Sequence, residues 1–155
     1  MKLNSFEALR AFAAQLERHV ASETFHTKVV LTPSAVDEPG MVIKVSLLKS
    51  YIQTVPRMIH SSRMLRVRLS VAGAAESMTG LEQALAAIEA LDRYLVSDGL
   101  RLEMETEEGT VTGVPDSRII QTISQEDSFF DNPDSTEVQD VEDSRTITIT
   151  IPEGE

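Results

Sequence analysis

Apolar residues recur along the chain with two different spacings, and these spacings predict its secondary structure. Near the start, the polar Asn4 precedes Glu7 by three residues, and apolar side chains then follow at helical spacing. This arrangement predicts an amphipathic helix over residues 5–20. A second apolar stripe begins within the capping-box sequence Thr79 to Glu82. It predicts a longer helix over residues 81–95.

Alternation of apolar and polar residues predicts three strands between these two helices. A short β-branched run covers residues 28–32, and alternating segments cover residues 41–48 and 64–71. In the last segment, leucines and valines occupy one face while Arg66 and Arg68 occupy the other. This strand is therefore predicted to have one buried and one solvated face.

The second half of the chain predicts further strands. Residues 100–104 and 110–112 flank a turn-like Glu-Glu-Gly sequence and predict a hairpin, and the isoleucines within 119–123 predict another strand. A final strand is predicted over residues 145–151. The order of elements predicts one α+β domain over residues 1–155, in which two helices pack on one face of a mostly antiparallel sheet.

The charge of the chain is unevenly distributed. Lys and Arg total 14 against 25 Asp and Glu, and residues 125–155 hold one basic and ten acidic residues. Eight carboxylates and no cation lie between Glu126 and Asp143. Self-repulsion predicts an extended acidic loop over residues 125–144, before the last strand. Loops of this length usually serve a function or a partner interface, and a solvated insertion is the alternative.

Several classes of protein are disfavoured by composition. The absence of cysteine excludes disulfide frameworks, thiolate metal sites and cysteine nucleophiles, and no cofactor or metal is expected. A net charge of −11 opposes unspecific binding to phosphate backbones or anionic lipid. No apolar run approaches the length of a membrane span or a signal peptide, so the protein is expected in the cytoplasm, away from membranes.

Few residues offer catalytic or metal-binding chemistry. Glu103 and Glu105 lie on one face of a predicted strand, and His60 lies near Arg57, so an enzyme would use one of these pairs. The oxygen-rich segment 127–134 lacks the spacing of a calcium loop. Solvated or structural roles explain these residues more simply, and the chain is expected not to be an enzyme.

The separate basic and acidic segments predict a contact between protein copies. The basic residues are Arg57, Arg63, Arg66 and Arg68, and we expect them to face carboxylates on a neighbouring copy or another partner. The other members of this predicted interface lie in the acidic loop: Glu126, Asp127, Phe129, Phe130, Asp131 and Asp134. The two phenylalanines would anchor the loop on the neighbour, or alternatively fold back onto their own domain.

Four features of the chain together resemble the tail terminator proteins of long-tailed bacteriophages. They are the leading helix, the strand 64–71 followed by Ala72-Gly73-Ala74-Ala75, the alanine-rich helix that starts near Gly80, and the final strand. The resemblance implies a small α+β virion protein that forms a hexameric ring at the head-proximal end of the tail tube. Such a ring stops tube polymerisation, joins the tail to the head connector and performs no catalysis.

The resemblance also implies partners and a location. The ring would contact tail-tube and neck proteins, and double-stranded DNA would pass through its lumen without specific binding. The protein would be assembled in the host cytoplasm and reside in the virion. The acidic loop is longer than a minimal terminator needs, so another neck or tail component is a close competitor. A different class, an acidic interaction module such as an inhibitor or a DNA mimic, would use residues 126–143 as a phosphate-like strip.

Overall fold

The structure is a computed structural model that describes residues 3–21, 28–31, 42–54, 61–74, 78–122 and 140–152. Two α-helices lie within these ranges, α1 (Ser5–Leu16) and α2 (Met78–Leu95), and a π-helical turn over Glu17–Ala21 extends α1. The strands are β1 (Lys28–Leu31), β2 (Val42–Thr54), β3 (Ser61–Ala74), β4 (Glu103–Glu105), β5 (Val111–Gly113), β6 (Arg118–Thr122) and β7 (Asp140–Pro152).

Five of these strands form one sheet in the order β1, β2, β3, β7, β6, while β4 and β5 form a separate hairpin. β1 runs parallel to β2, and the other neighbours are antiparallel. Both helices share one core with the same face of the sheet. The predicted α+β class, with two helices on one face of a mostly antiparallel sheet, is confirmed.

The core lies between β3 and the two helices. On β3, Leu65, Val67 and Leu69 have no exposed surface, and they share the core with Phe12 of α1 and Leu91 of α2. Burying a side chain of this size contributes roughly 1.5–3 kcal/mol relative to leaving it in water. This one-sided burial fixes which face of the sheet the helices cover.

The start of α1 follows the predicted cap. The Asn4 side chain accepts a hydrogen bond from the Glu7 backbone N–H at 2.8 Å, which satisfies one of the free donors of the first helical turn. The predicted helix over 5–20 changes to a π-helical turn after Leu16. Neither α1 nor α2 has both the length and the apolar character of a membrane span, within the residues that the structure describes.

The last strand begins earlier than the sequence pattern predicts. β7 starts at Asp140, and its first residues pair with β3, so the predicted acidic loop over 125–144 is wrong over its last five residues. An ion pair contributes to this earlier start, because Arg145 Nη1 lies 3.0 Å from Asp143 Oδ1 and offsets its negative charge. The number of carboxylates in the segment does not reveal this pairing. Residues 123–139, the rest of the loop included, lie outside the described residues.

Arg145 also connects β7 to α2. Its Nε lies 2.7 Å from Asp92 Oδ1, and its Nη2 donates to Asp92 Oδ2 at 3.0 Å, so the contact is bidentate. These hydrogen bonds raise the pKa of the Arg145 guanidinium above its usual range. The last strand is thereby held against the helical layer by charge as well as by its apolar side chains.

A buried glutamine connects three elements of the fold. Gln15 of α1 has no exposed surface, and its Nε2 donates to Tyr94 Oη at 2.6 Å and to the Arg101 carbonyl at 2.8 Å. Its Oε1 accepts from the Glu103 backbone N–H at 2.8 Å. The side chain therefore bonds to α2, to β4 and to the segment that leads into β4.

Replacing Gln15 with leucine is expected to destabilise the protein. Gln15→Leu retains side-chain volume but leaves the Arg101 carbonyl and the Glu103 N–H without a partner, at a cost of roughly 2–4 kcal/mol for two partly buried groups. The control Gln83→Leu makes the same chemical change on a partly exposed position of α2. Urea unfolding of both variants measures the difference, and equal free energies of unfolding would contradict this role for Gln15.

Candidate functional site

The outward face of the five-stranded sheet carries the strongest concentration of positive charge in the described chain. A β-bulge at Leu48 places one of these positive charges on the outward face. Leu47 pairs with Val67, whereas Lys49 pairs with the next residue back along β3, Arg66. Before the bulge, odd-numbered residues of β2 face the core. After it, the extra residue reverses the alternation and turns Lys49 outward, beside Arg66.

The strand register arranges this face in rows. One row runs Lys49, Arg66, Thr148 and Ile120 across β2, β3, β7 and β6. In the same strand order, the row on one side contains Tyr51, Met64, Thr150 and Arg118. The row on the other side contains Ser46, Arg68, Thr146 and Thr122. We call the outward residues Lys44, Lys49, Arg66, Arg68 and Arg118 the basic face.

The rows that contain Lys49, Arg66 and Arg68 include no acidic residue, and the nearest outward register positions with carboxylates are Glu142 and Asp140 of β7, beyond the row of Lys44. The outward positions of residues 42–53, 61–72, 118–122 and 144–152 include no carboxylate. Within the described chain, Arg66, Arg68 and Arg118 are exposed and form no ion pair. Lys49 and Arg66 are direct cross-strand neighbours, and like charges in that position repel and destabilise a sheet. An anionic partner would relieve this repulsion.

Apolar and hydroxyl side chains lie among the cations. Ile120 is 55% exposed although it lies on a strand, and Met64 is partly exposed in the neighbouring row. The outward threonines of β7 add small β-branched groups between them. A face that combines arginines with exposed apolar groups has the composition typical of protein–protein contacts.

Arg63, one of the four predicted interface arginines, lies on a different face of the sheet from Arg66 and Arg68. Arg63 pairs with Ile151 and so lies on the inward face, one residue out of phase with Arg66 and Arg68. Its Nη1 donates to Ser50 Oγ at 3.1 Å, and Ser50 Oγ lies 3.1 Å from Ser5 Oγ of α1. Arg63 therefore lies on the opposite side of the sheet from Arg66 and Arg68, because side chains alternate along a strand, and its role at an interface stays a prediction.

The other predicted interface residues lie outside the described residues. They are Arg57, Glu126, Asp127, Phe129, Phe130, Asp131 and Asp134. The predicted interface omitted three members of the basic face, namely Lys44, Lys49 and Arg118, and it also omitted the exposed Ile120 beside them. Lys44 alternates with Ile43 and Val45, and this pattern could have identified it. Arg118 and Ile120 become part of the face only because β6 pairs with β7.

A second polar cluster lies where the π-helical turn meets β4. His19 Nε2 and Arg18 Nη2 lie 2.8 Å and 3.3 Å from Glu103 Oε1. The His19 ring stacks on Tyr94 with 5.1 Å between centroids, and Tyr94 bonds to Gln15. Burial raises the pKa of the Tyr94 phenol, although its hydrogen bond with Gln15 opposes the shift.

This cluster connects elements of the fold. Glu103, one of the two glutamates of the predicted catalytic pair, is occupied by Arg18 and His19, while Glu105 is exposed. Among the described residues, no group of three or more His, Asp or Glu could hold a metal ion. The contacts of Glu103 are those of a residue that holds the end of α1 against β4.

The raised pKa of Tyr94 predicts a loss of stability at high pH. The phenol ionises near pH 10 in the unfolded chain and at higher pH in the folded one. Its contribution to the free energy of unfolding is therefore complete below pH 10 and is lost as the pH rises through the pKa of the folded state. Between about pH 8 and 11, Tyr94→Phe is expected to lose less free energy of unfolding than the wild type. Urea unfolding at several pH values measures this, with Tyr51→Phe as a control that keeps the wild-type slope. Identical slopes for Tyr94→Phe and the wild type would contradict it.

No model of a known protein family matches this chain, and no curated protein matches it in sequence. The basic face is therefore interpreted from its own geometry and charge.

Proposed function

We propose that this protein is a structural subunit that assembles with copies of itself into a ring, in the manner of the tail terminators that its order of elements resembles. The observation that supports the proposal is the basic face, whose cations lie in neighbouring rows and form no ion pair within the described residues, in a protein of net charge −11. The face would bind carboxylates of a neighbouring copy. The ring would close the head-proximal end of a tail tube and join it to neck proteins in the virion.

Charge favours a protein partner over nucleic acid for this face. Carboxylates outnumber cations 25 to 14, so a phosphate backbone approaching the molecule meets a repulsive field beyond the five cations. A second copy brings the complementary charge itself, on the acidic segment that follows β6. Once the basic face is covered, the particle is negative, and DNA would pass through it without binding.

Two different complementary surfaces on one chain favour a head-to-tail arrangement. A contact that joins a basic surface to an acidic one leaves both surface types free at the two ends of every partial assembly. Growth then continues until a ring closes. Because the attraction is partly between exposed charges, it is screened at high ionic strength.

The test removes two cations from the basic face. Arg66→Ser/Arg68→Ser is expected to reduce the assembled mass, because it removes two adjacent arginines while leaving the core side of β3 intact. Sedimentation velocity at low and high salt measures the mass, and electron micrographs of the purified protein show whether the wild-type particle is a closed ring. A wild-type ring that loses mass with rising salt is the expected result.

The control variant is Arg10→Ser/Arg101→Ser, which removes the same charge from exposed positions on α1 and before β4. It is expected to assemble like the wild type. A wild-type monomer would refute the proposal, and a monomer that binds a basic protein would favour the acidic interaction module instead. Unchanged assembly of Arg66→Ser/Arg68→Ser would refute the role of the basic face.

A further inference from the structure

A groove with a volume of about 1030 Å³ lies between the β4–β5 hairpin and the end of β7. The hairpin is not part of the main sheet, and the turn that follows it bonds back to Leu102 through Val114 N and Ser117 Oγ. Glu107 and Glu108 form the tip of the hairpin beside the groove. This arrangement leaves an open channel on the inward side of the sheet.

The groove has an apolar floor and an acidic rim. Leu3, Met104, Val114 and Ile151 line it together with Pro152. Four exposed carboxylates border the same channel, belonging to Glu105, Glu107, Glu108 and Asp116. None of the four forms an ion pair within the described chain, so their charge is available to a ligand.

One residue of the rim lies in a tight turn. Asp116 has φ of 60°, a left-handed conformation that aspartate and asparagine adopt more readily than other residues with a side chain, and a hydrogen bond from Ser117 N to Val114 O at 3.2 Å closes the turn. The turn holds the Asp116 carboxylate at the border of the groove.

The chain itself contains a segment whose chemistry is complementary to the groove. Residues 55–60 read Val-Pro-Arg-Met-Ile-His, which combines apolar side chains with an arginine and a histidine and includes no carboxylate. The segment joins Thr54 to Ser61, and the next residue, Ser62, pairs with Pro152 of the groove lining. The residues that border it, Thr54 and Ser61, therefore lie at the end of the sheet where the groove opens.

We infer that the groove binds residues 55–60 of a second copy of this chain. Met58 and Ile59 would contact the apolar floor, and Arg57 would face the acidic rim. This inference rests on the proposed function and deepens it, because it names a second contact between neighbouring subunits beside the one made by the basic face. It also assigns a partner to Arg57, the predicted interface residue that lies between β2 and β3.

Two variants disrupt the two halves of this contact separately. The groove variant, Glu105→Gln/Glu107→Gln/Glu108→Gln/Asp116→Asn, removes the rim charge while preserving side-chain shape, and asparagine tolerates the positive φ at position 116. The tip variant, Met58→Ser/Ile59→Ser, removes the apolar anchors. Each is expected to weaken association measured by sedimentation at least about tenfold, the scale of losing anchoring contacts at an interface.

Matched controls separate these effects from general changes of charge or hydrophobicity. Glu17→Gln/Glu82→Gln/Glu89→Gln/Asp98→Asn neutralises four exposed carboxylates away from the groove. Leu85→Ser/Val96→Ser removes exposed apolar side chains from α2 and the residue that follows it. Both controls are expected to assemble like the wild type. Circular dichroism and urea unfolding establish that all four variants are folded.

Mixing the two disrupted variants shows whether the contact is made between copies. The groove variant still offers an intact segment, and the tip variant still offers an intact groove. An equimolar mixture is therefore expected to associate at least about tenfold more tightly than either variant alone, because an intact groove can bind an intact segment. A mixture that associates no more tightly than the two variants alone would overturn the inference, as would a groove variant with wild-type mass.

The outcomes distinguish this inference from the proposed function. If Arg66→Ser/Arg68→Ser disrupts a wild-type ring while the groove variant assembles normally, the ring proposal is supported and the groove contact is refuted. If the mixture behaves as expected but the wild type forms a particle other than a closed ring, the groove contact is supported and the ring is refuted.

Discussion

The alternation of side chains along β3 is the constraint on which the other features depend. Leu65, Val67 and Leu69 are fully buried beneath the helices, so Arg66 and Arg68 must point to the opposite side. Shifting the strand by one residue would place two guanidinium groups in the apolar core, which is prohibitively costly without ionic partners. The hydrophobic core thus determines where the basic face lies, although no residue of that face belongs to the core.

Neighbouring strands extend the basic face in different ways. β7 contributes threonines, and β6 contributes Arg118 and Ile120, through ordinary antiparallel pairing. β2 contributes Lys49 only because the bulge at Leu48 changes its alternation. This bulge places two cations opposite each other, which weakens the sheet locally and makes the surface more receptive to an anion. Such a conflict between local stability and charge placement is common where a protein contacts a partner.

The two candidate surfaces occupy opposite sides of the sheet and have opposite charge. The basic face lies outward on β2, β3 and β6, and the acidic groove lies on the inward side near the end of β7. Every copy of the chain carries surfaces of both charges, so the proposed contact between copies needs no partner of opposite net charge. The strong ion pairs of Arg145 with Asp92 and Asp143 do not contribute to either surface, because they are satisfied within the fold.

Sequence periodicity by itself determined the fold class, both helices, the core face of β3 and the outward direction of Arg66 and Arg68. These features depend on local spacing, and burial of apolar side chains favours the same result along each segment. The end of β2, the start of β7, the inward position of Arg63 and the addition of Arg118 were decided only by the tertiary structure. Each depends on which strands pair and in what register, and that is a property of residues distant in the chain. The groove is the extreme case, since it exists only where a separate hairpin meets the end of another strand.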